Sequence, residues 1–389
     1  PPLVDRVLKN SEEYKVPNST AEQLWKFMET DLTEAITSGK LTSKTSLEDR
    51  DGGTRATLEA ARCLLGKIYL YQEKYADAKS ELEKVISSGK YDLIADVSTF
   101  YHPASAGCKE YVLECVRHYD PSNMYSQEGW FGILANWGFG YGFIAGPEAS
   151  MHYKFNTTSG YSYFNPSKSL YDAFVAEEGA DGYRLNAWIR TWEQVIAMNI
   201  AVNTTTNKYA SEGYFRLKWL ASTDDEFVGY WCGNQSNTPV IRYADVLLMA
   251  AEACLQAGDQ AGADEYLGRV RDRARLPRKS HVTLSDIKLE RRLELAMEGM
   301  RFQDLKRWGD APAVLADKGK KLPTFQIVPD PNNDLTTAAG IYNARYTTKT
   351  TYVDNEKSLA GWTPNRDEWL PFPENELEVN SNLKQNPGY

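Results

Sequence analysis

Apolar residues follow two rhythms along this chain. In four stretches they return every three or four positions, the period of an amphipathic helix, whereas elsewhere aromatic residues crowd into sequence rich in Gly and Asn. Residues 19–37 form the first helical stretch. They open on Ser19-Thr20-Ala21-Glu22, a capping-box pattern, and place Leu24, Phe27, Met28, Leu32, Ala35 and Ile36 on one stripe. Residues 54–88 predict two helices, TRATLEAARCLLGKIYLYQ and YADAKSELEKVISS, closed by Gly89. Residues 243–275 predict another pair, YADVLLMAAEACLQAG and DQAGADEYLGRVRDRAR, with Gly258 at the turn. Residues 283–308, TLSDIKLERRLELAMEGMRFQDLKRW, predict one long charged helix that starts at Thr283 and Asp286.

The two helix pairs are related. Gly66, Tyr69, Tyr75, Ala78 and Leu82 in the first, and Ala251, Gly258, Ala263 and Leu267 in the second, fall at the offsets of a tetratricopeptide (TPR) unit of about 34 residues. Small residues at these positions let two antiparallel helices approach closely. Sequence of a different character separates the copies, so a regular solenoid is not expected; helix pairs frame an inserted region, roughly 100–238. Within it, residues 110–118 (EYVLECVRH) alternate like a strand. Residues 310–389 are rich in Pro, Asn and Thr, with short strand-like pieces and no long helix.

The densest aromatic stretch is GWFGILANWGFGYGF, residues 129–143. From Trp137 on, Phe139, Tyr141 and Phe143 take every second position and glycine fills the gaps. The run 129–147 is uncharged and nominally long enough to cross a bilayer. Its glycines, Asn136, Pro147 and period of two argue against a membrane helix, and the mean hydropathy of -0.53 offers no second candidate.

Bulk composition narrows the function. Hydrophobic residues make up 42% and charged residues 25%, ordinary globular usage. The net charge of -9 argues against a nucleic-acid partner, which needs clustered Lys and Arg. Aromatics reach 12%, many in turn-rich sequence where binding surfaces draw their material. The five cysteines match neither a zinc motif nor a disulfide framework; Cys63 and Cys254 read as small buried hydrophobes.

Three motifs then coincide. NTPVIRYADVLLMAAEACLQAGDQAGA (237–263), ERRLELAMEGMRFQDLKRWG (290–309) and WLPFPENELEVNSNLKQNPGY (369–389) resemble, in order, segments of the SusD/RagB family, and residues 54–91 resemble one of its TPR-like pairs. The resemblance implies a mainly α fold in which TPR-like helix pairs form a right-handed superhelical scaffold, with an irregular aromatic-rich insert of loops and short strands. The expected division is a single SusD-like domain over 1–389. Residues 19–100 would be its helical part, 101–238 the ligand-binding insert, 239–309 further TPR-like and charged helices, and 310–389 an irregular end. The resemblance further implies a non-catalytic, cofactor-free, surface-exposed lipoprotein of the bacterial outer membrane that binds glycans. Its partner would be a SusC-like TonB-dependent transporter, and the membrane would be reached only through a lipid anchor. Family members usually carry a lipidated Cys and another helix pair ahead of the segment that PPLVDRV resembles, so those parts are expected outside this chain.

The family shares no fixed set of ligand-contacting residues, so candidates come from chemistry. A sugar ring has C–H patches on its faces and hydroxyls at its rim; aromatic planes cover the first, and Asn, Asp, Arg or backbone groups address the second. In a strand, residues i and i+2 share a face about 6.6 Å apart, a spacing comparable to that of successive sugars. Trp130, Asn136, Trp137 and Tyr141 are therefore expected ligand contacts, with Tyr153 and Tyr161 following in polar loops. Phe139 and Phe143, lacking a polar handle, read as support. Tyr230 and Trp231, beside Asn234 and Gln235, form a second group. Each of these aromatics has a competing role as core filler or loop anchor, and Trp188 with Trp192, four apart, reads as a stack or a packing stripe.

Competing chemistry is weaker. Glu290, Glu294 and Glu298 line one face of the charged helix and invite a glycosidase reading, but Arg291, Arg301 and Arg307 stand three or four residues from acidic partners, which describes ion pairing. The acidic runs at Asp49–Asp51 and Asp330–Asp334 complete no calcium loop and read as turns. A TPR-like scaffold for a protein partner, or a helical carbohydrate-active enzyme, are the alternatives to a glycan binder.

Overall fold

The computed structural model describes residues 1–116, 165–191, 193–194, 208–209, 212–218, 237–334, 336, 345–355 and 360–389. Its frame is helical. Helix α1 spans Ala21–Thr37, α2 Leu58–Tyr71 and α3 Tyr75–Ser87. After strand β1 (Tyr111–Cys115) come α4 (Lys168–Glu178), α5 (Tyr183–Trp188), β2 (Ile189–Thr191), β3 (Lys208–Tyr209) and β4 (Tyr214–Arg216). Strand β5 (Thr238–Arg242) runs directly into α6 (Tyr243–Gln256), which pairs with α7 (Gln260–Arg273). Helices α8 (Leu284–Glu294), α9 (Met300–Arg307) and α10 (Ala311–Val314) follow, then β6 (Lys321–Pro329), β7 (Tyr346–Asp354) and α11 (Glu374–Val379).

Helices pack in chain order: α1 on α2, α2 on α3, α3 on α6 and α6 on α7. The central member, α6, is buried from Tyr243 to Cys254; its surface is mostly apolar, and its two acidic residues, Asp245 and Glu252, are buried in ion pairs with Arg291 and Arg307. Close approach within the first pair depends on Gly66, where a Cβ would lie 2.8 Å from Leu82 Cγ. Gly89 and Gly258 take φ of 67° and 83° and end their helices as expected. Cys63 and Cys254 are fully buried, free thiols. Around α5 a second apolar cluster gathers Trp188, Phe174, Phe100 and Leu293.

Several sequence expectations need correction. The capping box of α1 sits one residue later, on Thr20 and Gln23 instead of Ser19 and Glu22, and the apolar stripe of α1 is only half-buried. The charged segment 283–308 is two helices, because Met297 and Gly299 adopt φ of 65° and 81° and break the ladder after Glu294. Trp188 ends α5, and the chain turns to strand at Ile189, so the spacing between Trp188 and Trp192 is not helical; Trp192 lies outside the described residues. Strands β6 and β7 pair over nine residues each, longer than the short pieces anticipated.

Sheets are small. β1 pairs with β5, β2 with β4, and β3, β6 and β7 form a third sheet, all antiparallel. The chain ends are stitched together. Asn18 and Lys384 exchange reciprocal bonds of 2.9 and 2.7 Å, while Asn380 and Asn382 donate to the carbonyls of Val16 and Lys15. Among the described residues no helix is long and apolar enough to cross a membrane.

Candidate functional site

Every expected ligand contact falls outside the described residues: Trp130, Asn136, Trp137, Tyr141, Tyr153, Tyr161, Tyr230 and Trp231. The structure describes the chain on either side of those segments. In sequence they are flanked by β1 and Asn165, and by Lys218 and Asn237.

Among the described residues lies a lattice of buried charges. Arg184 on α5, with a fully buried side chain, binds Glu178 at 2.7 Å, Glu290 at 2.5 Å and Glu294 at 3.1 Å. Glu290 also meets Arg271 at 3.1 Å. Glu294 is shared further with Arg242, at 3.0 Å, and with Arg273. Arg242 reaches Glu110 at 2.6 Å and Glu298 at 2.7 Å. Lys218 closes the set with Glu298 at 2.5 Å and with the carbonyls of Glu294 and Ala296, and its ammonium stands 3.7 Å from the Trp188 ring centre. The break after α8 leaves those carbonyls without a helical donor; Lys218 donates to both, and Arg242 also donates to that of Glu294, at 3.1 Å.

The electrostatics follow from this crowding. Burial pushes the Glu294 carboxyl up, yet Arg273, Arg242, Arg184 and Lys218 overcome it and hold the group far below the usual carboxylate range. Burial likewise pushes Lys218 down, to about 8, and Glu298 and Glu294 offset only part of it. Glu290, Glu294 and Glu298 are thus consumed by ion pairs, and the first two are essentially inaccessible, which removes them as a catalytic carboxyl pair. Most pairs run between elements rather than along one helix, contrary to the three- and four-residue offsets of the sequence. Arg291 binds Asp245 and Asp304, and of the Arg307 bonds only that to Asp304 is local, the other going to Glu252.

A second buried group stands on β1. The Glu114 carboxylate, on β1, accepts from the Gly107 amide and from Asn237 Nδ2, both at 2.9 Å. Burial pushes this carboxyl up; the two amides, then Lys44 and Arg50, pull it back without cancelling the push. Sequence reasoning missed Glu114, Asn237 and Lys218. The available signal was a pair of acidic residues, Glu110 and Glu114, inside the otherwise apolar strand EYVLEC.

Trp188 is core. Its indole donates to the Val97 carbonyl at 3.1 Å and it is 1% exposed. The acidic runs are turns as expected: Asp49 accepts from Thr45 and Gly52, and Asp330 from Asn332. Glu83, Cys254 and Asp259 bring ligand atoms within 4.8 Å of one another, but Lys79 already lies 2.6 Å from Asp259, and burial pushes the Cys254 thiol up to about 12. A cation is therefore in place there without a metal.

The chain and its fold have counterparts of known family. Residues 109–389 match the SusD family model, so this chain belongs to the SusD family. A SusD-like protein of Bacteroides ovatus is 31% identical over 170 residues, 39% of this chain and 29% of that protein. One from Formosa agariphila is 26% identical over 362 residues, 85% of this chain and 59% of that protein. The chain thus spans less than two thirds of these curated relatives. Among solved structures, a laminarin binding SusD-like protein superposes with a TM-score of 0.75 at 28% identity, covering 100% of this chain and 74% of that one. Surface glycan-binding protein A from Bacteroides thetaiotaomicron in complex with laminarihexaose superposes with a TM-score of 0.69 at 24% identity, covering 95% and 72%. The mainly α, SusD-like architecture expected from sequence is the observed one.

Proposed function

We propose that this chain binds a glycan without catalysing a reaction on it. The contacts in this reading are Trp130, Asn136, Trp137, Tyr141, Tyr153, Tyr161, Tyr230 and Trp231, within an insert of residues 101–238 that belongs to a single SusD-like unit over 1–389. The observation that carries the reading is the similarity over its whole length to a laminarin binding SusD-like protein. The concentration of Trp and Tyr in turn-rich sequence between the helix pairs supports it. In the same reading the protein is a lipid-anchored component of the bacterial outer-membrane surface that delivers its glycan to a SusC-like TonB-dependent transporter.

Calorimetry of the purified protein against defined oligosaccharides, beginning with laminarihexaose, tests the binding. Saturable binding is expected, with Trp130→Ala and Trp137→Ala each weakening it about tenfold or more, as loss of an aromatic anchor does. Absence of binding across the panel, or cleavage of the sugar, overturns the reading; unchanged affinity in both variants overturns the site.

A further inference from the structure

The geometry points to a second saccharide contact, on the helical frame: the pocket between the start of α1 and the α2–α3 turn takes a sugar ring of a neutral oligosaccharide, with Trp25 as its platform. The pocket lies outside residues 101–238, so the inference goes beyond the reading above and does not depend on the contacts assigned there.

Two elements build the pocket. On α1, Trp25, Lys26 and Glu29 follow Glu22 at offsets of three, four and seven, and the four residues share one side of the helix. Trp25 stands where the apolar stripe passes into the polar side. Opposite are Gln72, which caps α2, and Lys74, which precedes α3. Between them Glu73 takes a φ of 60°, a conformation that non-glycine residues rarely adopt, and the residues on either side of it both reach α1. Gln72 Nε2 and Lys74 Nζ donate to the same oxygen, Glu29 Oε1, at 2.6 and 2.5 Å. These six residues line a cavity of about 500 Å³, within the range of small-molecule sites.

The unused bonding capacity of the lining fits a polyol. Among the described residues Glu29 Oε2 and Gln72 Oε1 receive no hydrogen bond, the Trp25 indole N–H donates none, and all three atoms remain open to solvent. Lys74 keeps further protons to donate. The Glu29 side chain is 14% exposed and held through its other oxygen, so an acceptor is in position before a ligand arrives. Glu22 and Glu29 balance Lys26 and Lys74, and a pocket without net charge disfavours a phosphate or a nucleotide. A sugar ring suits both halves of this lining: its C–H face covers the indole, and its rim hydroxyls meet the donors and acceptors.

The test follows the indole N–H resonances of isotope-labelled protein by NMR. Laminarihexaose, cellohexaose or maltohexaose is added into the millimolar range, and Trp25→Phe assigns the Trp25 signal by its loss. At least one of the three is expected to move that signal saturably. Glu29→Gln removes the charge to which a sugar hydroxyl donates and is expected to weaken the effect about tenfold. Glycerol at matched concentration has hydroxyls but no ring face, and is expected to leave the signal in place. The doubly substituted Trp130→Ala, Trp137→Ala protein is expected to give the same affinity at Trp25 within about twofold. Melting temperature checks that each variant is folded; should Glu29→Gln not fold, the titration of the unaltered protein decides alone. A Trp25 signal that no saccharide moves, or that glycerol moves as far, overturns the inference, as does unchanged affinity in folded Glu29→Gln. If the signal stops moving once Trp130 and Trp137 are replaced, it was reporting the insert; the inference then falls and the functional reading stands. If it moves while calorimetry finds those two replacements without effect, the pocket stands and the insert site falls.

Discussion

Glu294 shows what a single residue contributes to this molecule. It is the most shared anion of the buried lattice, with Arg184, Arg242 and Arg273 all on one carboxylate. Replacing it by Gln keeps the shape but strands three buried guanidinium contacts, and the expected loss is about 3–5 kcal/mol in chemical denaturation. Tyr71 carries a pH signature. Burial pushes its hydroxyl up to about 12, above the value of about 10 in an unfolded chain. The folded state therefore keeps a proton that the unfolded state gives up, so this contribution is complete below pH 10 and is lost as pH rises toward 12. Relative to Tyr71→Phe, the unaltered protein is expected to lose about 2–3 kcal/mol across that window, read from denaturation midpoints at successive pH values. None of these roles was legible from residue type alone. Glu290 and Glu294 looked like members of a helix-surface network, and their true partners come from elements far away in sequence, which no local spacing encodes.

Elements were easier to read where a local rule governs them. Helices α2, α3, α6 and α7 emerged from apolar period and glycine stops because both signals act within a few residues. Gly66 even announced the packing, since a small residue at that offset has meaning only if another helix presses on it. Gly66→Ala is expected to destabilise by about 1–3 kcal/mol through contact with Leu82, and in a double-mutant cycle with Leu82→Ala the two losses should sum to more than the loss of the double variant, read by the same denaturation measurement. The break between α8 and α9 escaped the periodicity because the apolar positions on its two sides keep a helical phase; a residue such as Met297 at positive φ leaves no compositional mark. Arg291 binding Asp304 across the break then fastens the two pieces. The nine-residue β6 and β7 were underestimated because the Thr-rich β7 lacks the alternation of a half-buried strand and β6 carries Pro323 within it.

For the whole molecule, the family was legible in three ordered motifs. The first two also supply part of the buried charge: Arg242 and Asp245 come from the first, and Glu290, Arg291, Glu294, Glu298, Asp304 and Arg307 from the second, whereas Glu110, Arg184, Lys218, Arg271 and Arg273 lie outside them. Charges matched pairwise in a dry interior specify one arrangement closely. The candidate ligand contacts were legible only as residue types in a setting, and they remain proposals for the calorimetric test. Sequence alone had no means to find the bond between Glu114 and Asn237, because no local spacing links residues 123 positions apart.

The stitched chain ends carry a mechanical consequence. The Asn18–Lys384 exchange and the bonds from Asn380 and Asn382 join the first twenty residues to the last ten, with Ser19 also donating to the carbonyl of Pro1. A pull applied at residue 1 is thus shared at once with the opposite end of the polypeptide, before it reaches α1. The two ends form a seam, and tension on one is borne in parallel by both.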